Sequence, residues 1–284
     1  MKKYMSLVLF AHSIFALPFA IIGFFLAIQT TDYGFDWKKL LLMLICMVTA
    51  RNSAMAFNRF LDRDIDAKNP RTAMRDIPAG KISARSALIF TIVNCLIFVA
   101  TTFFINNLCF YLSPIALFVV LFYSYTKRIT PLCHIVLGIG LGLSPIGAYL
   151  VVTNHFDIVP IFYGLAVMCW SGGFDIIYAL QDEAFDKANG LNSIPAYFGG
   201  KNALHISELL HVISFIFVLL PAFYMPVGWL YYMGVAFYGL LLIYQHRIVS
   251  PTDLSRVDRA FMTTNGIASV IFAAFYLLDI LLVV

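Results

Sequence analysis

Residues 40–66 read LLLMLICMVTARNSAMAFNRFLDRDID, and this stretch decides what kind of fold the chain adopts. Residues 40–57 are apolar over nearly the length of a membrane-spanning helix, and they carry a single charge, that of Arg51. The residues that follow are polar and include three aspartates. A lipid-buried helix that leads directly into an acidic stretch predicts a membrane protein whose chemistry lies at the membrane boundary.

The composition extends this prediction to the whole chain. Of 284 residues, 61% are hydrophobic and only 12% are charged, and the mean hydropathy is +0.87. Soluble domains have about 25% charged residues, so this chain lacks the polar side chains that a water-facing surface requires. Nine apolar runs approach the length of a spanning helix, and none alternates as a lipid-facing β-strand does. These runs are residues 5–29, 40–57, 87–105, 108–125, 132–153, 158–180, 203–220, 227–244 and 260–284. We therefore predict an all-α polytopic membrane protein with nine transmembrane helices.

The basic residues predict the orientation of these spans. With nine spans, all of the 19 Lys and Arg residues except Lys38, Lys39 and Arg51 lie on the side that holds the N-terminus and the large polar loops. By the positive-inside rule this side is the cytoplasm, which leaves the C-terminus outside. The net charge of +4 follows from this bias and gives no indication of nucleic-acid binding. Lys2 and Lys3 precede a run that is too long for a signal peptide, so we expect a permanent first span.

Eight of the fifteen acidic residues fall in two short stretches at the cytoplasmic ends of predicted spans. In the first stretch, Asn58, Asp62 and Asp66 are four residues apart, so they share one face if the second helix continues through them. Arg51 falls on the same face two turns deeper. Pro70 marks where that helix must have ended. The sequence therefore predicts an acidic stripe at the end of the second span.

The second stretch has a related pattern. Asp175, Asp182 and Asp186 share a helical face by a spacing of seven and then four residues, and Tyr178 lies beside them. Gly190 follows as the predicted end of the helix. A second acidic stripe is therefore predicted at the end of the sixth span.

The positions of the two stripes also suggest how the chain is organised. They follow the second and the sixth predicted spans, which are corresponding places in two units of four helices. This correspondence suggests an internal duplication of residues 1–130 and 131–250. We predict one membrane-embedded domain over residues 1–284.

Carboxylates that share a helical face have a functional and a non-functional interpretation. A single aspartate in a loop is usually solvated and paired with a nearby Lys or Arg. Two stripes of matched spacing that begin at the membrane boundary favour a common site instead. Carboxylates that converge repel each other, and oxygen ligands point to Mg²⁺, which commonly bridges protein carboxylates to phosphates. The stripes therefore suit the metal-assisted departure of a diphosphate.

Four further polar residues are candidates for the same site. Arg51 is costly inside a span unless it meets a polar partner or an anionic substrate. Tyr123 and Lys127 are four residues apart at the end of the fourth span, so we expect them to face the same way, with Lys127 near phosphate. His12 in the first span is more readily explained as a satisfied core histidine, and a role in the site stays open.

Taken together, these motifs form an ordered pattern. It consists of Arg51, Asn58-x₃-Asp62-x₃-Asp66, Arg71-Thr72, Tyr123-x₃-Lys127 and Asp175-x₂-Tyr178-x₃-Asp182-x₃-Asp186. The pattern resembles the two aspartate-rich motifs and accompanying elements of the UbiA superfamily of membrane prenyltransferases. The resemblance implies nine helices around a central cavity capped by cytoplasmic loops. It also implies the Mg²⁺-dependent transfer of a prenyl group from a polyprenyl diphosphate.

The same resemblance implies roles for individual residues. The residues expected to hold the Mg²⁺–diphosphate are Asn58, Asp62, Asp66, Asp182 and Asp186. Asp175 and Tyr178 would line the site, while Lys127 and Arg71 would contact phosphate. Ionisation of the donor would give an allylic cation that attacks an electron-rich ring carbon, and Asp182 is the candidate for removing the ring proton.

Within the superfamily, residues 62–66 and 174–182 look most like the bacterial branch labelled 4-hydroxybenzoate polyprenyltransferase-like. The chain departs from members with such acceptors in two places: Arg59 stands where an acidic residue is frequent, and residues 11–18 lack an Arg-x-Asp-Lys-Pro stretch. The resemblance implies ubiquinone or menaquinone biosynthesis in a bacterial inner membrane, with either a 4-hydroxybenzoate-like or a dihydroxynaphthoate-like acceptor. The expected partners are thus a polyprenyl diphosphate, a small aromatic acid and the lipid bilayer.

Two other function classes compete with this interpretation. A CDP-alcohol phosphotransferase also has aspartates at the membrane boundary, but it would need an Asp-Gly-x₂-Ala-Arg stretch, which the sequence lacks. A transporter would use Arg51 and the aspartates as an ion or proton path. Transporters place charges near the middle of the bilayer in several helices, whereas the acidic residues here cluster on one side.

Overall fold

The computed structural model describes Leu7 and residues 14–283 of the chain. Within these residues the fold is helical, and the only β-type pairing described is an isolated bridge between Ser250 and Asp253. The α-helices are α1 (Leu17–Thr30), α2 (Trp37–Leu61), α3 (Arg63–Lys68), α4 (Ala84–Phe103), α5 (Asn107–Thr126), α6 (Cys133–Thr153), α7 (Ile158–Ala179), α8 (Glu183–Ala188), α9 (Ile194–Phe198), α10 (Gly200–Leu219), α11 (Trp229–Ile248) and α12 (Asn265–Leu282). Short 3₁₀ segments follow α7 and α10, and a π-helical segment, Arg259–Thr264, leads into α12.

Seven helical segments in the described part of the chain are long and apolar enough to cross a membrane. They are Trp37–Leu61, Ala84–Phe103, Asn107–Thr126, Cys133–Thr153, Ile158–Ala188, Gly200–Phe223 and Arg259–Leu282. Helix α1 is apolar but has 14 residues, and α11 is less apolar because it carries four tyrosines and ends in Gln-His-Arg-Ile. Seven of the nine predicted spans thus meet these criteria among the described residues, while the predicted run 5–29 lies partly outside them and α11 is less apolar, so the count of nine is not exact. The all-helical membrane architecture is confirmed.

Contacts between residues divide the chain into two compact units. Among the described residues, the first contains Leu7 and residues 36–126, and the second contains residues 14–35 and 127–283. In the first unit α2 packs against α4 and α5. Leu7 forms a small buried core there with Ala56 and Ala87. The internal duplication predicted from the positions of the stripes stays a prediction.

In the second unit α7 is the central helix, and it packs against α6 and α10. Helices α6 and α7 approach each other closely because Gly138 and Gly142 have no side chain. A Cβ atom at Gly138 would overlap the backbone carbonyl of Met168, and one at Gly142 would overlap that of Gly164. Small residues that allow backbones to approach are typical of helix contacts in membranes. This packing brings the first turn of α6 beside the C-terminal half of α7, and both places carry polar side chains.

Candidate active site

The first acidic stripe lies where α2 ends. Helix α2 ends at Leu61 and α3 begins at Arg63, with Asp62 between them at φ −89° and ψ 2°. The N–H of Asp62 donates to the Asn58 carbonyl at 2.9 Å, and the N–H of Asp66 donates to the Asp62 carbonyl at 2.7 Å. The i to i−4 bonds therefore continue across the break. The helical path therefore runs through Asp66, as a shared face of Asn58, Asp62 and Asp66 requires, with non-helical backbone angles at Asp62.

The acidic residues of this stripe differ in how deeply they are buried. Asp62 and Asp66 are 2% and 3% exposed, whereas the side chain of Asp64 is 80% exposed. The side-chain amide of Asn58 donates to Oδ2 of Asp62 at 3.1 Å. The structure therefore brings together the three residues that the four-residue spacing selects, and we name Asn58, Asp62 and Asp66 the first cluster.

Asp66 has the most informative surroundings in the first cluster. Its Oδ1 forms an ion pair with a guanidinium nitrogen of Arg75 at 2.7 Å, and its carbonyl accepts a bond from the Thr72 hydroxyl at 3.0 Å. Its Oδ2 is buried and has no hydrogen-bond partner among the described residues. A buried oxygen without a partner is costly unless a ligand completes it. The chain therefore folds back so that Thr72 bonds to the carbonyl of Asp66 and Arg75 holds one carboxylate oxygen, while the other carboxylate oxygen has no hydrogen-bond partner among the described residues.

The remaining predicted residues of the first unit have different surroundings. Arg51 lies close enough to Tyr123 to interact with it electrostatically, so two residues predicted for the site are neighbours. Arg71 is exposed, and its backbone N–H donates to the side-chain oxygen of Asn69 at 3.0 Å. His12 lies outside the described residues.

The second acidic stripe begins with Asp175 in α7. Its Oδ2 lies 2.7 Å from Nδ1 of His134, a residue that is 3% exposed in the first turn of α6. The neighbouring Tyr178 stacks on Phe261 with ring centroids 4.3 Å apart. Asp175 is thus held by a histidine that the spacing of the acidic residues does not indicate.

The stripe continues through a 3₁₀ segment, Leu180–Asp182, into α8. Asp186 is hydrogen-bonded by the Ser193 side chain, and it has Asp182, Lys127 and His134 as electrostatic neighbours. We name Asp175, Asp182 and Asp186 the second cluster. Its members share one neighbourhood, as their spacing predicts, although α7 gives way to a tighter turn between them.

Two basic residues beside the second cluster differ in their partners. Helix α5 ends at Thr126, one residue before Lys127, so the predicted pair of Tyr123 and Lys127 straddles the end of the helix. Lys127 is an electrostatic neighbour of Asp186. The ammonium of Lys187, in contrast, lies 2.6 Å from Oε1 of Glu183 in an exposed pair one helical turn apart. Lys127 therefore lies beside a carboxylate of the second cluster, whereas Lys187 is paired with Glu183 of its own helix.

The fit of a divalent cation can be judged from these oxygen donors. Within the described part of the chain, no group of three His, Cys, Asp or Glu side chains forms a preformed metal site. Mg²⁺ commonly uses one or two protein carboxylates and completes its shell with water and phosphate oxygens. The buried Oδ2 of Asp66, close in sequence and space to Asp62, is the kind of hard oxygen ligand that it binds. The donor set of the first cluster therefore fits Mg²⁺.

Residues 16–267 match the family model described as the UbiA prenyltransferase family. The chain belongs to the UbiA prenyltransferase family. It is therefore an integral membrane enzyme of the prenyltransferase class, as the resemblance of its aspartate motifs implies. The match covers both clusters and every described helix from α2 to α11.

Relatives of this UbiA family member agree with the assignment. The 4-hydroxybenzoate octaprenyltransferase of Yersinia enterocolitica is 28% identical over 242 residues, which are 85% of this chain and 84% of the relative. The apo structure of a UbiA homologue from Aeropyrum pernix K1 has a TM-score of 0.84 and 32% identity, and the similarity covers 94% of this chain and 98% of that one. A UbiA homologue from Archaeoglobus fulgidus bound to GPP and Mg²⁺ shares the fold at a TM-score of 0.74 and 22% identity, over 99% and 100% of the two chains.

Three polar residues beside the clusters of this UbiA protein were not selected by the sequence motifs. Arg75 was one of several basic residues on the cytoplasmic side, and His134 and Ser193 were not singled out. The rule that marks Arg51, an ionisable side chain within a span, also applies to His134 in the 132–153 run. No comparable signal marks Ser193, because a serine before a short helix is an ordinary N-cap.

Proposed function

We propose that this enzyme transfers a polyprenyl group from an isoprenoid diphosphate to a small aromatic acid, in a reaction that requires Mg²⁺. The acceptor is a 4-hydroxybenzoate-like or dihydroxynaphthoate-like acid, and the product enters respiratory quinone biosynthesis. The name of the Yersinia relative supports the aromatic acid, and the ligands of the Archaeoglobus structure support the diphosphate donor and the metal.

The observation that carries the proposal is the burial and incomplete hydrogen bonding of the Asp66 carboxylate. Its carboxylate is buried, one oxygen is fixed by Arg75, and the other has no hydrogen-bond partner in the described structure. A purely structural ion pair would be expected to satisfy both oxygens, because an unpaired buried oxygen destabilises the fold. A ligand that binds this oxygen removes the penalty, and a hard cation carrying a diphosphate is such a ligand.

The residues of both clusters then have distinct tasks. Asn58, Asp62, Asp66, Asp182 and Asp186 hold the metal-bound diphosphate. When bound, Mg²⁺ assists the departure of the diphosphate as an anion. Lys127 and Arg71 contact phosphate oxygens, and Arg51, Tyr123 and His12 contact substrate. Asp175 and Tyr178 line the site beside the reacting carbon.

The reaction that these residues serve is an alkylation of the aromatic ring. The C–O bond of the donor breaks to give an allylic cation, which apolar side chains shield from water. The cation bonds to a ring carbon of the acceptor, and a carboxylate of the second cluster, Asp182, accepts the proton that this carbon loses. We further propose that the enzyme lies in a bacterial inner membrane with its N-terminus and both clusters on the cytoplasmic side, where the basic residues concentrate.

The test uses purified full-length protein in detergent with Mg²⁺ and a radiolabelled polyprenyl diphosphate. The protein is incubated with a panel of aromatic acids that includes 4-hydroxybenzoate and a dihydroxynaphthoate, and each reaction is repeated with EDTA. A labelled lipid product that appears with one acid and disappears with EDTA is the expected result. If neither product nor released diphosphate forms with any acid, the proposed donor and acceptor are wrong.

A further inference from the structure

Both ring nitrogens of the buried His134 have partners in the second unit. Nδ1 lies 2.7 Å from Oδ2 of Asp175, and the backbone N–H of Ile194 donates to Nε2 at 3.2 Å. Gly172, one turn before the carboxylate, packs against the His134 carbonyl and keeps the two helices close. The imidazole thus bridges a predicted site residue in α7 and the beginning of α9.

The partners of His134 determine which nitrogen carries the proton. A backbone N–H can only donate, so Nε2 must be the unprotonated, accepting nitrogen. The hydrogen of the neutral ring is then on Nδ1, from which it is donated to Asp175. Ile194 is the first residue of α9, where helical N–H groups have no partner within the helix, and the next residue is a proline without an N–H. The histidine therefore satisfies a donor that the helix leaves unpaired.

Ile194 ends a short segment, residues 192–194, that also contacts other parts of the site. The N–H of Asn192 donates to the carbonyl of Lys127 at 2.7 Å, and its carbonyl accepts from the Cys133 thiol at 3.5 Å. Ser193 bonds to Asp186 through its side chain. A shift of this segment would therefore move groups next to Lys127 and Asp186, besides releasing His134.

We propose that His134 is a positioning residue that fixes the second cluster in two separable ways. Its Nδ1–H orients the carboxylate of Asp175, and its Nε2 fastens residues 192–194, which in turn hold Asp186 next to Lys127. The ring does not exchange protons in the reaction, because both nitrogens are engaged by protein groups. The roles of Asp175 and Asp186 toward substrate rest on the proposed function, whereas the two hydrogen bonds of His134 do not.

Two substitutions test the two hydrogen bonds of the His134 imidazole one at a time. In His134→Asn the side-chain amide can replace the Nδ1–H that faces Asp175, but nothing reaches Ile194. In His134→Gln the longer side chain can place its oxygen near the position of Nε2 and accept from Ile194, while the donor to Asp175 is lost. His134→Ala removes both bonds. His205→Asn, at an exposed histidine of α10, is the matched control.

The first readout is amide hydrogen exchange of a peptide covering residues 191–196 in the full-length protein without substrate. We expect slow exchange in the wild type, His134→Gln and His205→Asn, and exchange about 10-fold faster in His134→Asn and His134→Ala, because the amide of Ile194 is released. Equal exchange in all five proteins would refute the proposed bond. This readout does not depend on any catalytic activity.

The second readout is steady-state kinetics with the labelled donor. We expect His134→Gln to lower kcat by about 10- to 100-fold with little change in the KM for the donor. The reason is that Asp175 loses the hydrogen bond that orients it, and losing a bond that orients a ligand or reacting group typically has an effect of this size. We expect His134→Asn to raise that KM and to retain most of kcat. Equal loss in both variants would overturn the two-part role even if each protein is folded. Inactivity of the wild type would instead refute the proposed function, and the exchange pattern would still decide the positioning role.

Discussion

The two aspartate clusters use similar spacing but hold their carboxylates differently. In the first cluster Asp62 and Asp66 are almost fully buried, and Asp66 is compensated by a direct ion pair with Arg75. In the second cluster Asp182 and Asp186 are partly exposed, and Asp186 has the Ser193 hydroxyl as a partner and Lys127 as an electrostatic neighbour. The difference indicates that charges in the first cluster are tied to the stability of the fold. In the second cluster, Asp175 is held by His134 of α6 and Asp186 is bonded by Ser193 of the loop before α9.

The local chain path explains this contrast. After Asp66 the chain folds back so that Thr72 and Arg75 bond to that residue, which encloses the carboxylate between helix and loop. After Asp186 the chain turns through Gly190, which has φ +65°, and the Ser193 side chain of the loop that follows hydrogen-bonds to Asp186. The carboxylate that pairs with Arg75 is thus almost fully buried, whereas the carboxylate bonded by Ser193 is partly exposed.

The largest expected effect comes from neutralising Asp66 of the first cluster, whose Oδ2 has no hydrogen-bond partner among the described residues. Asp66→Asn keeps the shape of the side chain but removes a charged oxygen ligand, and its kcat/KM should fall by more than about 100-fold, since losing only the support of a metal ligand costs 10- to 100-fold. Asp64→Asn is the matched control two residues away, because that side chain is 80% exposed. It should retain activity within about twofold. Equal losses of kcat/KM in the two variants would mean that the buried Asp66 is no more important for the reaction than the exposed Asp64.

The next effect tests whether the first cluster contributes to the stability of the fold. Arg75→Gln removes the ion-pair partner of Asp66, and because the arginine side chain is 26% exposed the free energy of unfolding should fall by about 2–3 kcal/mol, less than for a fully buried pair. The loss should appear as a lower Tm in detergent, and added Mg²⁺ should restore more of the Tm in this variant than in the wild type, because the cation replaces the missing charge. Arg63→Gln, which breaks an exposed pair with Asp64, should change the Tm little with or without Mg²⁺.

Much of this comparison was predictable from the sequence. Helical periodicity placed Asn58, Asp62 and Asp66 on one face, and the structure confirms that path because the i to i−4 bonds continue across the break at Asp62. The membrane-spanning helices were predictable because lipid selects long apolar runs with few exceptions. Two predicted spans do not meet the same criteria among the described residues: the run 5–29 lies partly outside them, and α11 is less apolar than the other helices.

The supporting residues were harder to predict. Arg75 lies nine positions after Asp66, and their contact depends on a loop whose path no periodicity describes. His134 meets Asp175 across 41 positions because glycines let α6 and α7 pack closely. Partners of this kind follow from tertiary packing, so the pattern that selects the acidic residues cannot also select the groups that hold them.

A third prediction separates the two lysines beside the second cluster. Lys127→Ala should raise the KM for the diphosphate donor about 10-fold, because a charge-assisted contact to phosphate is lost. Lys187→Ala removes a side chain that is half-exposed and paired with Glu183, so its KM should change by no more than about twofold. Titration of donor binding without acceptor is the direct measurement. A larger change in KM for Lys187→Ala than for Lys127→Ala would mean that Lys187, and not Lys127, contacts the phosphate.

The smallest expected effect distinguishes two serines that cap helices. The Ser83 hydroxyl accepts from the N–H of Ser86 at the start of α4, and the Ser193 hydroxyl accepts from the N–H of Ala196 at the start of α9. Substitution of either serine by alanine removes a cap and should cost about 1 kcal/mol of stability. Ser193 alone also bonds to Asp186, so only Ser193→Ala should weaken binding of Mn²⁺, used as a spectroscopic substitute for Mg²⁺, together with the donor.

This pair of variants separates capping from positioning because the helical contribution is the same in both. Weaker Mn²⁺ and donor binding in Ser193→Ala, with Ser83→Ala unchanged, would mean that the Ser193 hydroxyl orients Asp186. Ser193→Thr keeps both the cap and the hydroxyl, and it should restore binding. If Ser193→Ala binds Mn²⁺ and donor as tightly as Ser83→Ala, Asp186 is held by other groups. The second cluster would then be as firmly fixed as the first, and the contrast between the two would no longer hold.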